Sequence, residues 1–265
     1  MYPDLPPIGP LHLHSYGLML ALSFWIGSGW LWREAARRGW DENRVATLSL
    51  VLLLVSVAGA RLFFVFTHWA DYARDPAGVL RLWEGGLTLY GGILAAIPAG
   101  ILYCRHAKLP VWSVADAVAP ALALGLALGR VGCFLNGCCF GKPCDLPWAV
   151  TFPPKSYAGL QYPGAHLHPA QLYFTAAELG LLAVLLGVRP RLRRPGQLWW
   201  LFLMLDSAVR FLVDMTRYYE PSAVLPGGLD VSQLVSLGLL AVGALGFAQA
   251  SRTPAGEEAA QHAAD

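Results

Sequence analysis

Charged residues are scarce in this sequence of 265 residues. Only 14% are charged, whereas soluble domains carry about a quarter. Hydrophobic residues make up 56%, and the net charge of +2 is too small to indicate a nucleic-acid partner. The first ten residues lack a basic segment, so we expect no cleavable signal peptide. This composition argues against a soluble protein and predicts an integral protein of a lipid bilayer.

The apolar stretches do not alternate with period two, which argues against a membrane β-barrel and favours helices. Most are close to the ~20 residues that cross a bilayer. We therefore predict an all-α integral membrane protein with seven transmembrane helices in one domain, residues 1–250. The segments are 16–32, 45–66, 87–104, 111–128, 169–188, 197–213 and 229–247.

Basic residues are concentrated in the connections after the first, third and fifth segments. Because such connections stay in the cytoplasm, we expect the N-terminus outside and the C-terminus inside. The longest connection, about 129–168, is rich in Gly, Pro and Cys and is predicted to form a small extracytoplasmic cap. The tail 251–265 has no apolar pattern and is predicted to be disordered in the cytoplasm.

The sequence has no C-x2-C pair. Four of its five cysteines, Cys133, Cys138, Cys139 and Cys144, have the spacing C-x4-CC-x4-C, which does not match zinc or iron–sulfur sites. We therefore predict no metal site, and expect either disulfides in the cap or buried free thiols. One alternative function uses these residues: a membrane thiol–disulfide oxidoreductase.

Three arginines, Arg61, Arg130 and Arg210, lie in or beside apolar segments. A central arginine in a membrane helix costs at least ~2.5 kcal/mol on insertion scales, so it needs a partner or a function. The planar guanidinium suits phosphate, which also permits a non-catalytic phospholipid-binding or transport protein. Structural alternatives are a pair of Arg210 with Asp206 or Asp214, and packing anchorage by Arg61.

Two further stretches carry polar groups. Residues 84–92, EGGLTLYGG, place Tyr90 beside Gly91 and Gly92, where the alternatives are close approach to a ligand and ordinary helix packing. Residues 168–173, HPAQLY, open a predicted helix with His168 and Gln171. A solvated interfacial histidine is the alternative there.

Taken together and in order, these motifs resemble the prolipoprotein diacylglyceryl transferase family of the bacterial inner membrane. The resemblance implies seven transmembrane helices with an extracytoplasmic cap. It implies transfer of the sn-1,2-diacylglyceryl group of phosphatidylglycerol to the lipobox cysteine of a prolipoprotein, without metal or organic cofactor. The motifs are 14–19 (HSYGLM), 59–62 (GARL), 84–92, the signature from 115 through Arg130 to Asn136 and Gly137, 168–173, 210–214 (RFLVD) and 232–236 (SQLVS).

The resemblance also implies roles for individual residues. Arg130, Arg210 and Tyr90 are the expected catalytic residues. The expected substrate-binding residues are Tyr16, Arg61, Gly91, Gly92, Asn136, Gly137, His168, Gln171 and Asp214.

The chain departs from the family pattern at its signature. Many members have a histidine in place of Tyr90, and asparagine and glutamate in place of Cys133 and Cys138. Either the base lies elsewhere, with Tyr90 as a hydrogen-bond donor, or this is a divergent paralogue with altered chemistry. Phe174 stands where the family has a glutamate after HPxQLY, and Glu178, one turn on, is the candidate for that acidic role.

Overall fold

A computed structural model describes residues 14–73, 75–81, 85–220, 224–225 and 227–252. Within these ranges the regular structure is helical and extended pairing is limited to isolated bridges, so the predicted all-α class is confirmed. Seven described helices have 18 residues or more. The helices are α1 Ser15–Arg38, α2 Glu42–Thr67, α3 Trp69–Tyr72, α4 Leu89–His106, α5 Val111–Asn136, α6 Tyr157–Gln161, α7 Ala170–Val188, α8 Gln197–Asp214 and α9 Val231–Ala250.

Four of the described helical segments are long and apolar enough to cross a membrane: Glu42–Thr67, Val111–Asn136, Ala170–Arg191 and Val231–Ala250. Among the other long helices, α8 carries Asp206, Arg210 and Asp214 within its 18 residues. Because charge lowers the hydropathy of a span, the polar groups of interest weaken its membrane signal. A count of seven spans stays a prediction.

The described residues fall into two compact units, one drawn from 1–30 and 115–260 and the other from 31–114. In the second unit, α2 and α4 pack closely. Gly59 and Gly91 permit this approach, because a Cβ added at Gly59 would lie 2.6 Å from the carbonyl oxygen of Gly91. Small residues at such a contact let two helix backbones meet.

The core of the first unit joins α5, α7 and α8. Buried side chains of α5 pack against apolar side chains of α7 and α8, among them Leu185 and Phe202. Asp116 fixes the start of α8, because its carboxylate oxygens accept hydrogen bonds from the backbone N–H groups of Gly196 and Trp199, each at 2.8 Å. A carboxylate at a helix N-terminus satisfies donors that the helix leaves free.

The connection between α5 and α7 is folded. Phe140, Phe152, Ala158 and Leu167 form a buried cluster within it. The backbone of Gly141 donates to the carbonyl of His168 at 3.0 Å, and that of Lys142 donates to the carbonyl of Thr216 at 2.8 Å. These bonds hold the connection against the start of α7 and the end of α8. Its predicted position outside the membrane stays a prediction, and residues 253–265 of the predicted tail lie outside the described residues.

Candidate active site

A turn at the C-terminus of α5 brings Cys133 and Cys138 together. Gly137 has a φ of 72°, its N–H donates to the carbonyl of Phe134, and the N–H of Cys138 donates to the carbonyl of Cys133. This is the hydrogen-bond pattern of a Schellman motif, which places the residue after the turn against the last turn of the helix. A side chain at Gly137 is also blocked, because its Cβ would lie 2.6 Å from the Cβ of Ser156.

The turn brings the thiols of three cysteines close to one another. The sulfur atoms of Cys133, Cys138 and Cys139 all lie within 4.8 Å of one another. The thiol of Cys138 donates to the carbonyl oxygen of Cys133 at 3.7 Å, and the three thiols interact with one another. All five cysteines are free thiols; of the four in and after α5, Cys133 is buried and the other three are partly buried. The sequence feature that indicates this turn is Asn136-Gly137 at the end of a helix. The spacing of the cysteines alone does not indicate it.

Two arginines act on Cys139. Hydrogen bonds from the thiols of Cys133 and Cys138, followed by the positive charges of Arg217 and Arg130, hold the pKa of the Cys139 thiol below its ordinary value. Positive charge near a thiol favours the thiolate, which is both the nucleophilic and the metal-binding form. Arg217 was not among the predicted site residues.

Gln171 supports the same turn. Its side chain is fully buried, and its Nε2 donates to the carbonyl oxygen of Cys138 at 2.7 Å. Its Oε1 is buried with no partner among the described groups. Next to it, His168 and Tyr173 hydrogen-bond through Nδ1 and the hydroxyl at 3.2 Å. The HPAQLY motif therefore orders the cysteine turn and the start of α7.

Tyr16, in the first unit, lies close to the cysteine turn. Its hydroxyl interacts electrostatically with the three cysteines and with Arg130. Its ring packs beside Gly132, where an added Cβ would lie 3.2 Å from Cδ2 of Tyr16. The structure thus brings together the first-helix tyrosine and the arginine of the signature.

Arg130 stacks on an aromatic ring, and its N–H donors have no acceptor among the described residues. Its guanidinium carbon lies 4.2 Å from the centroid of Phe174, in cation–π geometry. Within the described residues it forms no hydrogen bond or ion pair, and the same is true of Arg210. The structural pairs considered for Arg210, with Asp206 or Asp214, are therefore absent from the described part of the chain.

A buried pair of carboxyl groups accompanies the two arginines. The Glu178 and Asp206 carboxyl groups interact with each other, and Glu178 is also influenced by the charges of Arg210 and Arg130. Glu178 Oε2 and Asp206 Oδ1 are buried and receive no hydrogen bond from other described groups. Sequence analysis identified Glu178 but not its partner, because α7 and α8 meet only in the folded chain.

Asp214 is buried at the C-terminal end of α8. Its Oδ2 accepts a hydrogen bond from the Ser232 hydroxyl at 2.7 Å, and its Oδ1 lies 3.7 Å from a guanidinium nitrogen of Arg217. The RFLVD and SQLVS motifs therefore meet across α8 and α9. Asp214 and Arg217 also line a cavity of about 250 Å³, together with Lys142 and Asp230.

The second unit holds the other predicted site residues. Arg61 is 4% exposed and donates to five backbone carbonyls, those of Val79, Gly85, Gly86, Gly78 and Arg81. A guanidinium has five N–H donors, so none is left for a ligand in this structure. The anchoring alternative accounts for all of them.

The glycines of the same unit lie in the helix contact. A Cβ at Gly91 would meet the carbonyl oxygen of Gly59 at 2.5 Å, and one at Gly92 would lie 3.1 Å from that of Ser56. Packing alone therefore accounts for both residues. Tyr90 is 54% exposed in the first turn of α4, and Glu84 lies outside the described residues.

Comparison with known proteins gives a consistent result. A sequence profile described as prolipoprotein diacylglyceryl transferase matches residues 3–249. Curated relatives carry the name phosphatidylglycerol–prolipoprotein diacylglyceryl transferase. One from Synechococcus elongatus is 36% identical over 255 residues, covering 92% of this chain and 86% of the relative. One from Bordetella bronchiseptica is 35% identical over 266 residues, covering 96% and 98%. One from Thermosynechococcus vestitus is 34% identical over 242 residues, covering 91% and 89%.

The profile spans almost the whole chain, and these relatives are similar over more than nine-tenths of it. The chain belongs to the prolipoprotein diacylglyceryl transferase family.

Proposed function

We propose that this protein transfers the sn-1,2-diacylglyceryl group of phosphatidylglycerol to the lipobox cysteine thiol of prolipoproteins. The family assignment and the names of the relatives support this reaction. Apolar helices and the bacterial family support a multi-pass protein of the inner membrane. The oxidoreductase and the phospholipid transporter receive no support from the relatives.

The observation that carries the proposal is the state of Arg130 and Arg210. Both are partly buried on α5 and α8, both act on Glu178, and neither has a hydrogen bond or ion pair with another described residue. A buried guanidinium that the protein does not pair is available for an anionic ligand. The phosphate of phosphatidylglycerol is such a ligand, and a planar guanidinium binds it through two parallel hydrogen bonds.

The reaction places a developing charge where these arginines lie. The lipobox sulfur attacks the glycerol carbon that carries the phosphate, a carbon–sulfur bond forms, and the carbon–oxygen bond breaks. The electron pair leaves with glycerol phosphate, whose charge grows as the bond opens. Preorganised donors aimed at this charge stabilise the transition state more than the ground state.

The Glu178–Asp206 pair supplies proton transfer beside the phosphate. In this proposal the two carboxyl groups share one proton. Their buried oxygens have no other described partner, and two arginines influence Glu178. This proton passes to the leaving oxygen, and the pair regains a proton that originates from the attacking thiol. The net change is one proton moved from sulfur to glycerol phosphate, so the step is balanced.

The remaining site residues position these groups. Tyr16 orients the head group beside Arg130, while Gly137, Asn136, His168 and Gln171 hold the turn that follows Arg130. Asp214 orients Arg217 and the start of α9. In the other unit, Tyr90 has the role of a hydrogen-bond donor in this proposal. Gly91 and Gly92 allow α4 to pack closely on α2, and Arg61 anchors the segment before α4.

The topology belongs to the same proposal. The seven long helices cross the membrane as one domain, residues 1–250, with the N-terminus outside. The predicted cap 129–168 is shortened at its start, because residues 129–136 belong to α5, and residues 137–168 form the extracytoplasmic cap. Residues 251–265 form a cytoplasmic tail. The folded connection between α5 and α7 and the basic connections on the opposite side support this arrangement.

The test uses purified protein in liposomes that contain labelled phosphatidylglycerol, with a synthetic lipobox peptide as acceptor. The expected result is a labelled thioether peptide and an equal amount of glycerol phosphate over many turnovers. A peptide with serine in place of the lipobox cysteine is the control and should remain unlabelled. Binding of the lipid without product would favour the phospholipid-binding alternative, and reduction of a disulfide substrate without transfer would favour the oxidoreductase.

A further inference from the structure

The cysteine cluster has a geometry that the proposed function does not yet use. Three sulfur atoms, from Cys133, Cys138 and Cys139, converge within 4.8 Å. Zinc–sulfur bonds of about 2.3 Å in a tetrahedral site place sulfur atoms about 3.8 Å apart. The thiols therefore need to approach one another by about 1 Å at most to bind one zinc ion.

The backbone that carries these thiols is held on both sides. The Schellman turn fixes Cys138 against the last turn of α5, and Gln171 holds the Cys138 carbonyl at 2.7 Å. The turn replaces the short C-x2-C spacing of familiar zinc sites, which explains why spacing alone predicts no metal here. In metal sites generally, hydrogen bonds from surrounding residues hold the ligand residues in place.

Charge complementarity favours a divalent, thiophilic ion. Zn²⁺ with three thiolates carries a net charge of −1, and a fourth thiolate would make it −2. Arg130 and Arg217 act electrostatically on Cys139, so two positive charges accompany the cluster. Thiolate ligands select zinc over harder ions such as Mg²⁺ or Ca²⁺.

The geometry points to a Zn²⁺ site formed by Cys133, Cys138 and Cys139, whose fourth coordination position takes the thiol of the acceptor cysteine. The second half of this inference rests on the proposed function. Three protein ligands with one open position are the arrangement of catalytic zinc, whereas structural zinc is closed by four.

Such a site supplies an activated nucleophile without a histidine base. A thiol that coordinates zinc is deprotonated outright. The bound sulfur then attacks the glycerol carbon, the carbon–oxygen bond breaks, and glycerol phosphate leaves with the electron pair. The displaced thiol proton balances the proton that the phosphate takes up, and no oxidant or reductant is required. The thioether product binds zinc weakly and leaves, which restores the open position.

This inference connects the departures from the family pattern. The chain has Tyr90 where the resemblance implies histidine, and it gains Cys133 and Cys138 within the signature. A phenol hydroxyl at this position can donate a hydrogen bond but does not replace the imidazole base. Activation of the thiol by zinc removes the need for that base.

The first experiment measures metal binding by the full-length protein. Reduced protein is loaded with Zn²⁺ or Co²⁺, and bound metal is measured by elemental analysis and by the sulfur-to-cobalt charge-transfer absorption. We expect about one metal per chain. Cys133→Ser, Cys138→Ser and Cys139→Ser should each lose most of the charge-transfer intensity. The matched control Cys144→Ser, in the same connection but outside the cluster, should keep it.

A second measurement does not depend on the folding of variants. Zinc should protect Cys133, Cys138 and Cys139 of the wild-type protein from alkylation, mapped by mass spectrometry, and leave Cys144 unprotected. Stoichiometric metal binding with this pattern supports the site. Failure of wild-type protein to bind either metal, or equal protection of Cys144, overturns it.

The open position is tested with the acceptor peptide. Addition of a lipobox cysteine peptide to the cobalt-loaded protein should raise the charge-transfer intensity by about a third, because a fourth thiolate joins three. The serine peptide should cause no change. An unchanged spectrum with bound cysteine peptide overturns the role of the open position. If the charge-transfer intensity rises but zinc-loaded protein transfers no diacylglyceryl group, the metal site is supported and the proposed function is refuted. The failure of the metal site and the failure of the proposed function are therefore distinguishable.

Discussion

Replacing Arg130 or Arg210 by lysine should reduce catalysis far more than stability. Lysine keeps the positive charge and removes the planar pair of donors. A hydrogen bond to a charged group contributes about 1.5–3 kcal/mol, so loss of one from the transition state should lower kcat about 10- to 160-fold. Loss of two should lower it further.

The structure limits the effect on stability. The described contacts of Arg130 are electrostatic, apart from its stacking on Phe174 at 4.2 Å, and a cation–π contact contributes about 0.5–2 kcal/mol. Since a lysine ammonium also interacts with the ring, the free energy of unfolding should change by less than that. The expected pattern is therefore a nearly intact fold with little transfer.

The assay compares kcat for labelled phosphatidylglycerol with the midpoint of thermal unfolding in the same detergent. Arg193→Lys is the matched control, because Arg193 is exposed in the connection before α8. It should retain the activity of the unmodified protein. Full transfer activity in both Arg130→Lys and Arg210→Lys would refute the phosphate role of these residues.

Three other substitutions test the account at separate places. Glu178→Gln keeps a hydrogen bond to Asp206 but removes the shared proton of the proposed mechanism. The kcat should fall at least tenfold with little change in KM. A kcat equal to that of the unmodified protein would exclude proton transfer by this pair. Arg61→Met leaves five carbonyls without their donor and should lower the free energy of unfolding by about 3 kcal/mol or more; a purely catalytic defect at normal stability would contradict the anchoring role. Gly137→Ala places a Cβ 2.6 Å from Ser156 at a positive φ and should cost about 1–3 kcal/mol, measured by chemical unfolding, with Gly180→Ala, whose Cβ meets nothing, as the control.

The long helices could be predicted from the sequence because their apolar runs are unmistakable. Their ends could not. The first apolar segment was predicted over 16–32, whereas α1 continues to Arg38. Hydropathy marks only the stretch that suits lipid, and a helix continues beyond it wherever its backbone hydrogen bonds are satisfied.

The candidate site was only partly predictable for a different reason. Arg130, Tyr16 and Gln171 could be identified because each belongs to a recognisable motif. The convergence of three thiols depends on the positive φ of Gly137, and the contact of Glu178 with Asp206 depends on how α7 packs against α8. Neither is visible as a spacing in the chain.

Arg61 shows the opposite limit. A lone arginine in an apolar segment predicts a need for partners but does not say whether they are protein or ligand. Its five acceptors come from the irregular segment before α4, whose backbone path has no periodic signal in the sequence. Only the folded chain shows that backbone carbonyls satisfy it.

The central claim is that this chain forms a thioether between a lipobox cysteine and the diacylglyceryl group of phosphatidylglycerol. The most direct measurement is mass spectrometry of a lipobox peptide after incubation with the purified protein and phosphatidylglycerol liposomes. The account predicts a mass gain of one diacylglyceryl group on the cysteine, with equimolar glycerol phosphate released over many turnovers. An unmodified peptide in the presence of folded protein that binds both substrates would contradict it.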